Sequence, residues 1–286
     1  MTKEYCRMDR FLKGVLAFRH QHRIFISIIF YVHKSTEVLY SSYVTIILRL
    51  QKHIHRIWGN KMMVPNSKID GITLKKMMIT AAHNLEQTKE EINAINVFPI
   101  PDGDTGVNLF LTIRTVVEQF SEVGPDSISE AAQLITKGSF LGAKGNSGVI
   151  ISQFFQGFSA EIEDHDEVGI EEFAKALEAG SEWSYDAVLH PTEGTILTVI
   201  KDTAEKAKAI AANGGDWTEM ITETYKTAVK SLENTPNLLP VLKEAGVVDA
   251  GAKGFVNVWL GWCFQLMDTL SIKIAHIEEA FAKLQK

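Results

Sequence analysis

From residue 66 onward, apolar positions recur with a helical period. Asp70–Ile92 places Leu74, Met77, Met78, Ala81, Leu85 and Ile92 close to a 3.6-residue repeat. After an interruption rich in Pro and Asp, Asn108–Phe120 resumes that spacing and closes at Gly124-Pro125. Ser127, with Glu130 three residues on, has the pattern of a capping box opening Ile128–Phe140. Gly142 and Gly145 break that run, and Asn146–Ile162 is the next long apolar-faced stretch. Ile170–Ala187, Gly194–Ala212 and Trp217–Glu233 follow, separated by His190-Pro191, Asn213-Gly214-Gly215 and Asn234-Thr235-Pro236. A short helix, Leu238–Glu244, ends at Gly246, and Ala250–Leu270 is long and apolar. Strand signals are nearly absent. The pattern predicts an all-α fold, a barrel or bundle of about eight antiparallel helices with short loops. It places the working domain at 62–270, followed by a short tail at 271–286.

Charge divides the chain differently. Residues 1–61 carry 11 of the 29 Lys+Arg and 3 of the 35 Asp+Glu, so residues 62–286 hold 18 basic against 32 acidic side chains. That acidic excess argues against nucleic acid as a partner. Segment 1–61 has apolar runs at Phe25–Val32 and Val38–Leu50 among its basic residues. It is either a basic amphipathic segment for an anionic membrane surface or an upstream extension, with Met62 or Met63 as the working start. No apolar run approaches the roughly 18–20 residues of a membrane span. The two cysteines, Cys6 and Cys263, have neither metal spacing nor a paired framework, which fits a reducing, cytoplasmic compartment.

The stretch with the most chemistry is Asn96–Asn108, N-V-F-P-I-P-D-G-D-T-G-V-N. Pro99 and Pro101 hold the backbone out of helix, and Asp102-Gly103-Asp104 makes a sharp turn that Gly106 is expected to end through its backbone freedom. Two carboxylates two residues apart suit a hard cation, and Mg²⁺ takes one or two protein carboxylates plus phosphate oxygens. Asn108 adds an amide oxygen within reach. A surface Asx turn is the competing reading; the apolar run Ile95–Ile100 favours the metal by planting the turn on a buried base.

Three further loops carry glycine ahead of helices. Gly142–Gly148 (G-A-K-G-N-S-G) exposes backbone amides at a helix start, a natural phosphate cradle to which Ser147 and Lys144 could add a hydroxyl and a charge. Close helix packing explains the same glycines, and the loop is not a Walker A motif. Pro191–Thr195 offers Thr195 as a helix cap or a phosphate contact. Val247–Gly254 offers Asp249, an N-cap or a pocket residue. Gathered at one end of a bundle, the four loops would form a polar mouth.

P-D-G-D-T-G-V-N at 101–108, G-A-K-G-N-S-G-V-I-I-S-Q-F-F-Q-G-F at 142–158, E-G-T-I-L-T-V-I at 193–200 and L-P-V-L-K-E-A-G-V-V-D-A-G-A-K-G at 239–254 occur in order. Together they resemble the ATP-binding domain of the dihydroxyacetone kinase family, and most closely the amino-terminal kinase domain of bacterial fatty acid kinase. The resemblance covers roughly residues 66–262. It implies a barrel of antiparallel helices with ATP at one end and Mg²⁺ bridging the phosphates from Asp102 and Asp104, with Asn108 nearby and Asn96 as a further ligand candidate. It implies nucleotide contacts from Thr105 and Gly106, from Gly145, Asn146, Ser147 and Gly148, and from Thr195, Asp249, Ala250 and Gly251. The expected activity is phosphoryl transfer to a fatty acid held by a carrier protein. A ketose-binding kinase subunit as partner, or an inactive nucleotide-binding fragment, are the alternatives, and a homodimer is admitted. Fatty acid kinases continue into further domains beyond the matched region. A carboxylate acceptor is already ionised at pH 7 and needs no general base, which agrees with loops that hold no histidine except His190.

Overall fold

The computed structural model describes residues 68–120, 125 and 127–284. The basic segment 1–61 lies outside the described residues. Ten helices are present among them: α1 Gly71–Ala94, α2 Thr105–Gln119, α3 Ile128–Gly142, α4 Gly145–Ile162, α5 Ile170–Asp186, α6 Ile196–Ala212, α7 Trp217–Leu238, α8 Pro240–Ala245, α9 Ala250–Thr269 and α10 Ala275–Leu284. The fold is all-α, as the periodicity predicts.

Helix starts are set by local chemistry. Asp70 accepts the Thr73 amide at 2.8 Å, Ser127 the Glu130 amide at 3.1 Å and Asp216 the Glu219 amide at 2.9 Å, each satisfying an amide that has no partner inside its helix. α7 runs five residues past Glu233, through the stretch expected as a Pro-bearing break, because Pro236 is accommodated inside it. Proline cannot donate to the carbonyl of Leu232, four residues back, and the Thr235 hydroxyl bonds that carbonyl at 2.8 Å instead. The stretch expected as a tail contains α10, which buries Ile277 and stacks Phe281 on Phe264 of α9 at 3.8 Å.

Consecutive helices α1 to α7 each pack on the next, α7 packs on α9, and α9 packs on α1, so eight helices close a ring. Its interior is filled by aromatic rings: Phe154, Phe155 and Phe158 of α4, Phe173 of α5, and Phe255, Trp259 and Trp262 of α9 contact one another at centroid distances of 5.1–6.4 Å. Buried aromatic groups of this size supply the largest hydrophobic contributions per residue. No helix among the described residues is long and apolar enough to cross a membrane.

The chain reverses direction at each step of the ring, with the six-residue α8 lying inside the α7–α9 connection, so its loops alternate between two ends. At one end, Ile69 and Val168 form an isolated antiparallel bridge, with bonds of 2.9 and 3.1 Å. Gly71 lies there against the Ser127 carbonyl, and the Ile128 amide bonds the Asp166 carbonyl at 3.3 Å. The other end receives the N-termini of α2, α4, α6 and α9.

Candidate nucleotide and metal site

Residue contacts join these four N-termini. A Cβ on Gly145 would lie 2.5 Å from Asn108 Nδ2, and one on Gly148 would lie 2.6 Å from Thr112 Oγ1, so α4 starts directly against the first turns of α2. Gly254 of α9 is pressed onto Leu109 of α2, and Lys253 forms an ion pair with Glu91 in the last turn of α1. Asp249 caps α9 by accepting the Ala252 amide at 2.7 Å and also accepts the Ile196 amide at the start of α6. The expected gathering of the loops at one end follows from these contacts. Four aligned N-termini place four positive dipole ends there, favourable for an anion.

The Asp loop is anchored by polar groups rather than by its apolar run. Asn96 is buried, donates to the Ile100 carbonyl at 2.7 Å, and accepts the Thr105 hydroxyl. Ile100, expected as part of a buried base, is 59% exposed. Asn93, which sequence reasoning missed, accepts the amides of Gly106 at 2.8 Å and Val107 at 3.3 Å and so starts α2 three residues earlier than expected. Its signal is only an Asn ahead of a loop, legible once α1 and α2 are known to touch. Gly106 is required for another reason than the one expected. It is the backbone of Lys89 that leaves no room for a side chain, while the left-handed conformation of the turn falls on Gly103, with φ +67°.

With Asn93 as the cap, Asp104 occupies the N-cap position without a side-chain bond. Asp102 and Asp104 are both exposed, and neither carboxylate has a hydrogen bond or ion pair among the described residues. No group of three or more His, Cys, Asp or Glu that could hold a metal occurs among the described residues. The donor set is therefore two carboxylates with the half-buried Asn108 beside them. That suits Mg²⁺, which keeps several waters and uses few protein ligands. Among the described residues no side chain caps α4, whose Gly145 and Asn146 are exposed and Ser147 half-buried.

The other expected site residues form a layer underneath. Thr105, Gly106, Gly148, Thr195, Asp249, Ala250 and Gly251 are buried. The Thr195 hydroxyl does not cap α6; it donates to the Thr192 carbonyl at 2.7 Å. Asp249 supplies the α6 cap from across the mouth and is 4% exposed. Burial pushes its carboxyl up to about 6, against the lowering effect of the Ala252 and Ile196 amides. Its amide in turn bonds Thr235 Oγ1 at 3.1 Å, which ties α7 to the same layer. None of the expected site residues lines the groove of about 530 Å³ between α1 and α2, formed by Ile79, Glu86, Lys89, Phe110 and Arg114 among others.

A family model described as the DAK2 domain matches residues 99–263. Protein YloV of Bacillus subtilis is 46% identical over 198 residues, covering 69% of this chain and 36% of that protein. An uncharacterized protein of Staphylococcus epidermidis is 44% identical over 196 residues, 68% of this chain and 36% of its own length. The chain thus spans about a third of the curated relatives it matches. Among solved structures, the dihydroxyacetone kinase from C. freundii in complex with AMP-PNP and Mg²⁺ has the same fold, with a TM-score of 0.52 and 16% identity over 71% of this chain and 36% of that one.

Proposed function

The chain belongs to the DAK2 domain family of dihydroxyacetone kinases, and from that premise we propose that it is the ATP-binding, phosphoryl-transferring domain of a kinase. The observation that carries the reading is the juxtaposition of Asn108 and Gly145, which sets an unpartnered carboxylate pair beside an uncapped helix N-terminus. Asp102 and Asp104 would hold Mg²⁺ with Asn108 nearby, and the amides of Gly145, Asn146 and Ser147 would receive phosphate oxygens. When bound, the metal neutralises charge on the transferring group. The protein's own part is positioning: Asn93, Asn96 and Thr105 hold the Asp loop, while Asp249 and Thr195 hold the loops around it. Asn96 has its amide committed at both ends, so its role in this reading is support rather than ligation.

The acceptor we favour is a fatty acid presented by a carrier protein. In its support, the barrel interior is filled with aromatic rings, and among the described residues the exposed mouth has no histidine to act as general base apart from His190 in the α5–α6 loop. A ketose presented by a partner subunit is the second reading; it predicts phosphate transfer to dihydroxyacetone rather than to an acyl carboxylate. An inactive nucleotide-binding fragment would bind Mg·ATP without turnover. Calorimetry of Mg·ATP binding to the wild type and to Asp102→Ala/Asp104→Ala tests the site. Metal-dependent binding lost in the double variant supports it, and no binding by the wild type rejects it.

A further inference from the structure

We propose that Glu193 is a positioning residue of the mouth, acting through the Thr198 hydroxyl on the Gly194–Thr195 turn; this rests on the nucleotide-binding reading above. An ionised carboxylate only accepts hydrogen bonds, so Glu193 Oε2 takes the single hydroxyl hydrogen of Thr198, at 2.6 Å. The oxygen of Thr198 is then left to accept, and it receives the buried Gly194 amide at 2.8 Å. Glu193 thereby sets the direction of a two-bond relay ending on the backbone of the turn.

The turn needs that hold. Gly194 has φ +82°, and a Cβ there would lie 2.9 Å from Leu238 Cβ and 3.0 Å from the Thr235 carbonyl oxygen. The segment is therefore pressed onto the end of α7, beside the Thr235 hydroxyl that receives the Asp249 amide. The relay, the turn and the two helix starts capped by Asp249 form one unit.

The other oxygen of Glu193 is fixed as well. It accepts Lys201 Nζ at 3.0 Å and the Tyr185 hydroxyl at 3.1 Å, while Lys201 lies 5.5 Å from the centre of the Tyr185 ring. Partial burial raises the Glu193 carboxyl, but the Thr198 and Lys201 bonds and the Lys201 charge outweigh it and hold the group below its usual range. The acceptor-only form that the relay requires therefore prevails at neutral pH. Nothing in Glu193 itself has to touch nucleotide; its two oxygens are spent on Thr198, Lys201 and Tyr185.

The test uses the full chain and two readouts, amide hydrogen exchange at Gly194 in the free protein and Mg·ATP affinity by calorimetry. Glu193→Ala should speed exchange and weaken Mg·ATP by about tenfold each, the size expected for one net hydrogen bond. Glu193→Gln, whose amide oxygen still accepts the Thr198 hydrogen, should restore most of both. Thr198→Val should reproduce the Glu193→Ala loss, and combining the two should add little. Additive losses would place Glu193 outside the relay and overturn the proposal. Unchanged Mg·ATP affinity in Glu193→Ala also overturns it, while wild-type binding keeps the nucleotide reading intact. A wild type that binds no Mg·ATP defeats both, and faster exchange at Gly194 would then mark a purely structural clamp.

Discussion

Asn108 and Gly145 meet so closely that a Cβ on Gly145 would lie 2.5 Å from the Asn108 amide nitrogen, and Gly145 itself sits at φ +60°. Both facts oppose a side chain there. Gly145→Ala should therefore cost about 1–3 kcal/mol of stability through backbone strain and displaced packing. It should also weaken Mg·ATP by at least about tenfold, since the carboxylates and the α4 amides would no longer be set together. Thermal melting and calorimetry on one sample check both, and unchanged nucleotide affinity would detach the α4 loop from the phosphates.

Asp102 and Asp104 should separate function from stability. Both are exposed and without partners among the described residues, so Asp102→Asn and Asp104→Asn should change unfolding free energy by no more than about 0.5 kcal/mol. Metal-dependent nucleotide binding should nevertheless fall sharply in each. A variant that keeps Mg²⁺-dependent binding would remove that residue from the proposed ligand set.

Asp249 predicts an unusual pH dependence. Its folded-state carboxyl lies at about 6 against an unfolded value of 3.8, so folding favours the protonated form. Its contribution is fully present below about pH 4 and is lost as pH rises through about 6, a change of about 3 kcal/mol at most. Carboxylates held low, such as Asp70 and Glu193, act in the opposite sense over acid pH. The quantity to measure is therefore the difference between wild type and Asp249→Asn in denaturant unfolding from pH 4 to 7. That difference should slope against the wild type as pH rises, and a flat difference would mean Asp249 titrates normally.

Trp262 is fully buried and its indole N–H has no hydrogen-bond partner among the described residues. Trp262→Phe removes that orphan donor while keeping a ring in the cluster with Phe154, Phe155 and Phe158, and should cost less than about 1.5 kcal/mol. Trp262→Ala opens a cavity and should cost about 3–5 kcal/mol. Equal losses would show that the indole nitrogen, rather than ring volume, is what the core requires.

Helix identity and order were legible because apolar periodicity and glycine punctuation agree along most of the domain. Helix ends were less so. Pro236 looks like a break until Thr235 takes over the orphaned Leu232 carbonyl, a compensation that depends on one rotamer. Ser271, at φ +55°, turns the chain into α10 without a glycine or proline to announce it. In the site, exposed Asp102, Asp104, Gly145 and Asn146 stand out by residue type, and their neighbours do not. Thr195 looks like the cap of α6, yet the cap comes from Asp249, 54 positions further along. A long-range bond of this kind leaves no mark in local spacing. The same holds for Asn93, whose partners Gly106 and Val107 lie across a loop.

The alternation of loops between two ends has a consequence for how such a chain can change. Connections at the end marked by the Ile69–Val168 bridge can lengthen or shorten without disturbing the mouth, so natural variation and engineered insertions should accumulate there. Helices that cross the barrel, by contrast, can be gained ahead of α9 only in pairs; the short α8 does not cross it. A single extra crossing would deliver the α9 N-terminus, with Asp249, to the wrong pole of the barrel.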